Sequence, residues 1–213
     1  MKTMSLLNIA VMCAMLCVCQ ASFYNVFGLG SQPRCPSAVK PCRLKVEMTS
    51  PMGDQTTESH SCSCPDSKPC LTDWTRRDHV ITRELRTASR ISMTLSMLFC
   101  DTIQPQRQCR ADEVALQVSG LTLVPTEVNF VNCACSDGLP LVLHEQYHGS
   151  DHKLYMSYVC ASFKDQCSRG WGYRRNCMEF DNESGRITYP CKCSSNRSCR
   201  PTSYNAPYRC LRD

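Results

Sequence analysis

Three times beyond residue 21 two cysteines flank a single residue, at Cys62/Cys64, Cys133/Cys135 and Cys191/Cys193. Side chains two apart on an extended chain point to the same face. Two such thiols cannot easily bond each other, but each can reach a different neighbour at the base of a hairpin. This spacing therefore predicts a stapled β protein whose hairpins are held at the root and project at the tip. Of the 19 cysteines, three (Cys13, Cys17 and Cys19) fall in the first 21 residues, which leaves sixteen. In that leader Lys2 precedes an apolar run from Leu6 to Cys19, and Cys19-Gln20-Ala21 offers a small-x-small cleavage site. Residues 1–21 read as a secretory signal peptide. An even set of sixteen in an oxidising compartment implies about eight disulfides. Export also sets aside cytosolic zinc sites as the use of so many cysteines. No later stretch approaches the roughly 18 apolar residues that span a bilayer. A secreted, extracellular chain without a membrane span is expected.

After the leader, 23 basic residues stand against 19 acidic ones, a formal charge of +4. The cations are scattered apart from Arg76-Arg77 and Arg174-Arg175, so no phosphate-binding stripe stands out and no nucleic acid partner is expected. The dibasic pairs also invite a reading as processing sites. Cutting after Arg77 would leave five cysteines on one side and eleven on the other, and cutting after Arg175 would reverse those numbers. Odd counts argue against free peptide products, so the pairs read as exposed basic loops.

Aligned on their closing pairs, the cysteines form a triplicate. Cys35, Cys42, Cys62 and Cys64 are followed by Cys100, Cys109, Cys133 and Cys135, then by Cys160, Cys167, Cys191 and Cys193. Cys70 and Cys199 share one offset, and Cys177 and Cys210 complete the sixteen. The expected architecture is all-β, small and disulfide-rich, with three repeated Cys-clamped hairpin modules at 22–75, 76–137 and 138–213. Alternation supports hairpins at Leu44/Val46/Met48, at Val114/Leu116/Val118 returning through Val128/Phe130, and at Met178/Phe180 returning through Ile187/Tyr189. Further strands lead into Cys100 from Met93 and into Cys160 from Leu154. Asp73 to Ser89 has some helical character.

His144-Glu145-Gln146-Tyr147-His148 satisfies the His-Glu-x-x-His pattern of zinc proteases, with His152 four residues on. On a helix the two His would share a face and bind zinc while Glu145 polarised a water. Here Leu141-Val142-Leu143 reads as a strand and Gly149-Ser150-Asp151 as a turn, so a histidine-rich hairpin is the preferred reading. No Gly-x-Ser-x-Gly elbow, free thiol or phosphate-cradling glycine loop is present. The expectation is a non-enzyme with no cofactor. Asn182-Glu183-Ser184 and Asn196-Arg197-Ser198 are glycosylation sequons in expected surface segments. The segment from Arg169 to Arg175 mixes aromatic and cationic residues. Trp171, Tyr173, Arg174 and Arg175 are its candidate binding residues, since aromatics and Arg are favoured interface anchors.

A leader rich in Leu, Met and Cys, followed by sixteen cysteines in repeated Cys-x-Cys frames, resembles the large cysteine-rich scoloptoxins of centipede venom, family eleven. The resemblance implies a secreted, monomeric venom toxin that docks on the extracellular face of a neuronal membrane protein. A voltage-gated potassium channel would be its target. No site residue comes from the resemblance; it is the aromatic and cationic character of the loop itself that puts Tyr173, Arg174 and Arg175 towards such a target. The module plan is also similar to that of the secreted growth factor antagonist Argos. That similarity implies an extracellular regulator that sequesters a growth factor or occupies its receptor.

Overall fold

The computed structural model describes residues 33–35, 40–50, 53–88, 91–167, 176–194, 196–203 and 206–212. The leader at 1–21 lies outside them. The described chain is almost entirely β structure, with no α-helix among the described residues. Its strands are β1 (Arg43–Thr49), β2 (Gln55–His60), β3 (Val80–Arg86), β4 (Ser92–Leu98), β5 (Val114–Gly120), β6 (Glu127–Val131), β7 (Leu141–His148), β8 (Leu154–Cys160), β9 (Glu179–Asp181), β10 (Arg186–Thr188), β11 (Arg197–Pro201) and β12 (Tyr208–Arg212). Alternation makes these strands. Leu44 and Val46 of β1, Met93, Leu95 and Met97 of β4, and Leu154, Met156 and Tyr158 of β8 all point inward. The intervening residues of β1 and most of those of β4 are more exposed. Strand β8 is instead buried on both faces towards its end, where Ser157 and Val159 are buried too and Val159 packs with Val142 and Ala161 in a second cluster.

Eight strands run in the order β2-β1-β4-β3-β7-β8-β5-β6, and β10 adds to β7 with β9 outside it. Neighbours are antiparallel except at one seam, where β3 and β7 run parallel through only Leu85↔Leu141 and Arg86↔Val142. The two ends of the eight-strand path also approach each other. Ser59 of β2 donates its hydroxyl to the Thr126 carbonyl just before β6, at 3.0 Å. The sheet thus curls around one core, to which β1, β3, β4, β5, β6, β7 and β8 all contribute buried side chains. Strands β11 and β12 pair separately.

The expected helical character over 73–89 is not found. Asp73 instead accepts from the Thr75 backbone N–H at 2.9 Å and from its hydroxyl at 2.6 Å, forming a tight turn that leads into β3. The buried pair Ile81 and Leu85 explains the ambiguity. A spacing of four places two residues on one face of a helix and also on one face of a strand. Full pairing of β3 with β4, from Val80↔Leu98 to Arg86↔Ser92, decides for the strand.

Eight disulfides engage all sixteen cysteines after the leader, and six of them form a threefold set. The first cysteine of each closing pair bonds backwards, in Cys35–Cys62, Cys109–Cys133 and Cys167–Cys191, with Cα separations of 5.0, 5.0 and 5.1 Å. The second bonds forwards, in Cys64–Cys100, Cys135–Cys160 and Cys193–Cys210, with Cα separations of 5.6, 5.6 and 5.5 Å. The residue between them is held identically each time. Ser63, Ala134 and Lys192 accept from the N–H of Cys35, Cys109 and Cys167 at 2.8, 2.9 and 3.0 Å. They donate to the carbonyls of Pro33, Arg107 and Asp165 at 3.0, 2.9 and 2.9 Å. Alignment by spacing makes Cys35, Cys100 and Cys160 equivalent, whereas the pairing makes Cys35, Cys109 and Cys167 equivalent. Cys100 and Cys160 close their units rather than open them. Cys42–Cys70 and Cys177–Cys199 are extra bonds of the first and third units.

Candidate binding surface

Pairing registers bring three hairpin tips to one end of the sheet. Gly120 of β5 and His148 of β7 both pair with Leu154 of β8, and Ile187 of β10 pairs with Gln146 of β7. The turns at 121–126, 149–153 and 182–185 therefore stand side by side, in the strand order β6-β5-β8-β7-β10-β9.

The first tip is apolar. Leu121 and Leu123 remain 76% and 41% exposed. Beneath them Pro125 is buried and Val124 packs against the core, which fixes the loop. The loop closes so tightly that a Cβ on Gly120 would stand 2.6 Å from the Val124 carbonyl oxygen, so only glycine fits there. The second tip is polar and linked to the first by Lys153, whose ammonium lies 2.7 Å from the Glu127 carboxylate. Asp151 accepts from the Lys153 N–H at 3.2 Å and from the Tyr155 hydroxyl at 3.0 Å. The third tip is acidic. Asp181 accepts from the Glu183 N–H at 3.0 Å and from the Ser184 hydroxyl at 2.5 Å, and Gly185 takes φ +65° to close the turn. Those two bonds, the Ser184 hydroxyl first, hold the Asp181 carboxyl below its usual range. Phe180 beside this tip is 55% exposed.

A cation–aromatic ladder crosses the outer sheet face just below the tips. The Arg186 guanidinium lies 4.9 Å over the Tyr147 ring, and Tyr147 stacks on Tyr155 with centroids 5.3 Å apart and planes 7° from parallel. Glu145 anchors Arg186 at 2.9 Å. Arg186 is exposed and the two tyrosines are half-buried, so stacking and the Glu145 ion pair pre-organise these groups on the sheet surface.

The His-Glu-x-x-His segment lies along β7, not on a helix. Four residues of extended chain separate the Cα atoms of His144 and His148 by about 13 Å, and a single zinc ion needs its nitrogen ligands at about 2 Å. Glu145 is committed to Arg186. His144 sits at a register shift in β7, with the Lys164 ammonium donating to its Nδ1 at 2.9 Å. Among the described residues, every cluster of metal-ligating atoms consists of cysteine sulfurs already held in disulfides.

Burial and the neighbouring Lys164 push the His144 pKa down, against weaker pulls from Glu145 and Asp112. Burial likewise brings Lys164 down to about 8. A histidine with a depressed folded pKa takes up its proton more readily in the unfolded chain, so stability is lost as pH falls through and below 6.5. Between pH 7.5 and 5.5 the urea midpoint of the wild type should therefore fall further than that of His144→Gln. Parallel falls would show that this pair does not carry the acid sensitivity.

Trp171, Tyr173, Arg174 and Arg175 lie outside the described residues. Asn182 is exposed on the third tip, and Asn196 is exposed just before β11. Sequence reading passed over Leu121 and Leu123 because 120–125 reads as a turn. The available signal was that this turn holds Leu-Thr-Leu-Val where polar residues are usual. The ladder had no local signal, because Arg186 and Tyr147 are brought together only by the β7–β10 pairing.

A curled all-β sheet, eight disulfides and a row of projecting tips fit an extracellular cysteine-rich protein. Among the described residues no helix is long and apolar enough to cross a membrane. No protein-family model matches the sequence, and neither does any curated protein. Among solved structures, unliganded Argos superposes with a TM-score of 0.44 at 14% identity, over 85% of this chain and 92% of that one.

Proposed function

We propose that this protein is a secreted, non-enzymatic binder that docks on a folded extracellular protein, with Leu121 and Leu123 as its central anchors. The observation behind this reading is the rigid β5–β6 tip, which holds two leucines in solvent although the fold does not need them there. Large apolar side chains on a fixed protrusion gain by entering a pocket, and their loop loses little freedom on doing so. The polar second tip and the Arg186–Tyr147–Tyr155 ladder supply a rim. Within that class, the partner we propose is a growth factor or its receptor ectodomain, as for an extracellular regulator.

A second reading, carried by Trp171, Tyr173, Arg174 and Arg175, is a venom toxin of the scoloptoxin type that blocks a voltage-gated potassium channel. A Lys or Arg presented beside aromatics can approach the electronegative mouth of a cation channel. The oxidised protein from Ser22 onward would be tested for binding to a panel of growth factors and receptor ectodomains, and in parallel under voltage clamp on arthropod neurons. The first reading expects submicromolar binding that weakens at least about 30-fold in Leu121→Asp/Leu123→Asp, with currents unchanged. Potassium current block that survives this double change but is lost in Arg174→Ala/Arg175→Ala would replace it with the second. Chelator-sensitive proteolysis would overturn both.

A further inference from the structure

We propose that Asn182 carries an N-linked glycan, that Asn196 carries none, and that the glycan confines docking to the apolar side of the tip row. The proposal rests on the export and docking reading given above. The two sequons are identical in pattern but differ in how the fold presents them. Asn182, Glu183 and Ser184 are all exposed on the turn between β9 and β10, a two-stranded projection whose one strand neighbour in the sheet, among the described residues, is β7. The turn is shaped by Asp181, and the Ser184 hydroxyl points outward to that carboxylate. Both groups that the glycosylating enzyme reads, the Asn182 amide and the Ser184 hydroxyl, are on the surface together.

In the second sequon these groups are divided. Asn196 is exposed, but its side-chain oxygen accepts from Ser194 at 3.2 Å. Ser198 is buried at 9% exposure on β11, where it pairs with Leu211. Arg197, between them, donates to the Cys210 carbonyl at 3.0 Å. The sequon also sits inside the loop closed by Cys193–Cys210, and the next residue, Cys199, bonds Cys177. As these bonds form, the hydroxyl is drawn into the fold and the segment can no longer extend into the enzyme.

In the transfer, the Asn182 amide nitrogen bonds to C1 of the sugar of a lipid-linked oligosaccharide donor. The C1–oxygen bond to the donor's pyrophosphate breaks, and the amide proton passes to the enzyme's base. The glycan then stands at the acidic end of the tip row, beside Phe180. Leu121 and Leu123, at the other end of the row beyond the β7–β8 tip, stay uncovered.

Wild type, Asn182→Gln and Asn196→Gln would be expressed in a secretory eukaryotic cell line and compared by intact mass before and after peptide-N-glycosidase treatment. Wild type and Asn196→Gln should each lose one glycan, and Asn182→Gln none. Ser184→Ala, which keeps the asparagine, should match Asn182→Gln and guards against a folding effect of the amide change. A wild type with no glycan or two, or an Asn182→Gln protein that keeps one, overturns the proposal. Appearance in the medium is scored separately. An exported chain without a glycan overturns this inference alone, while a chain retained unmodified in the cytosol overturns the export reading with it.

Discussion

Replacing Cys135 and Cys160 together by alanine should lower the stability of the otherwise oxidised protein by about 3–4 kcal/mol. The bond spans 25 residues, and restricting the unfolded chain over such a loop accounts for a cost of that size. Cys160 is completely buried at the end of β8 within the main core, so the lost sulfur also leaves a void beneath Leu141, its partner on β7. The measurement is urea unfolding of purified, oxidised protein, and an unchanged midpoint would refute the expectation. The single change Cys135→Ser should do more damage. It frees the Cys160 thiol within 4.8 Å of Cys109, so exchange with Cys109–Cys133 becomes possible. Peptide mapping should then find mixed connectivities in place of one.

Leu85→Ala should cost about 2–5 kcal/mol. Leu85 is fully buried on β3 and pairs with Met93 on one side and Leu141 on the other. It stands at the two-residue parallel seam that joins the β1–β4 half of the sheet to the β5–β8 half. Parallel pairing over two residues contributes few hydrogen bonds, so side-chain packing across the seam carries the coupling. The wild type should unfold in a single transition, since both halves share one core. The variant should unfold earlier and in two steps, read in a Trp171→Phe background by Trp74 fluorescence, which then reports the first half, against far-ultraviolet circular dichroism. Two steps already present in the wild type would show that the seam does not couple the halves.

Much of this architecture was legible locally. Leu44/Val46, Met93/Leu95/Met97, Val114/Leu116/Val118 and Leu154/Met156 each announce a half-buried strand, because a two-residue period needs no knowledge of the partner. The Cys-x-Cys spacing likewise announces two thiols on one face that must bond elsewhere. Ile81 and Leu85 were not legible, since a separation of four suits a helix and a strand alike. The surface was less legible than the core. Leu121 and Leu123 look like part of an ordinary turn until Pro125 and Val124 are seen to pin the loop from below.

By itself, then, the sequence determined that this chain is a stapled β protein with three equivalent closures, because periodicity and cysteine spacing are properties of neighbouring residues. The tertiary structure decided the phase of the repeat, which made Cys100 and Cys160 closing rather than opening members. It also decided the strand order, the approach of β2 to β6 and the assembly of three tips at one end. Each of these depends on which distant segments pair. That choice is made by the combined burial of many side chains and by disulfide geometry, and no short stretch of sequence contains it.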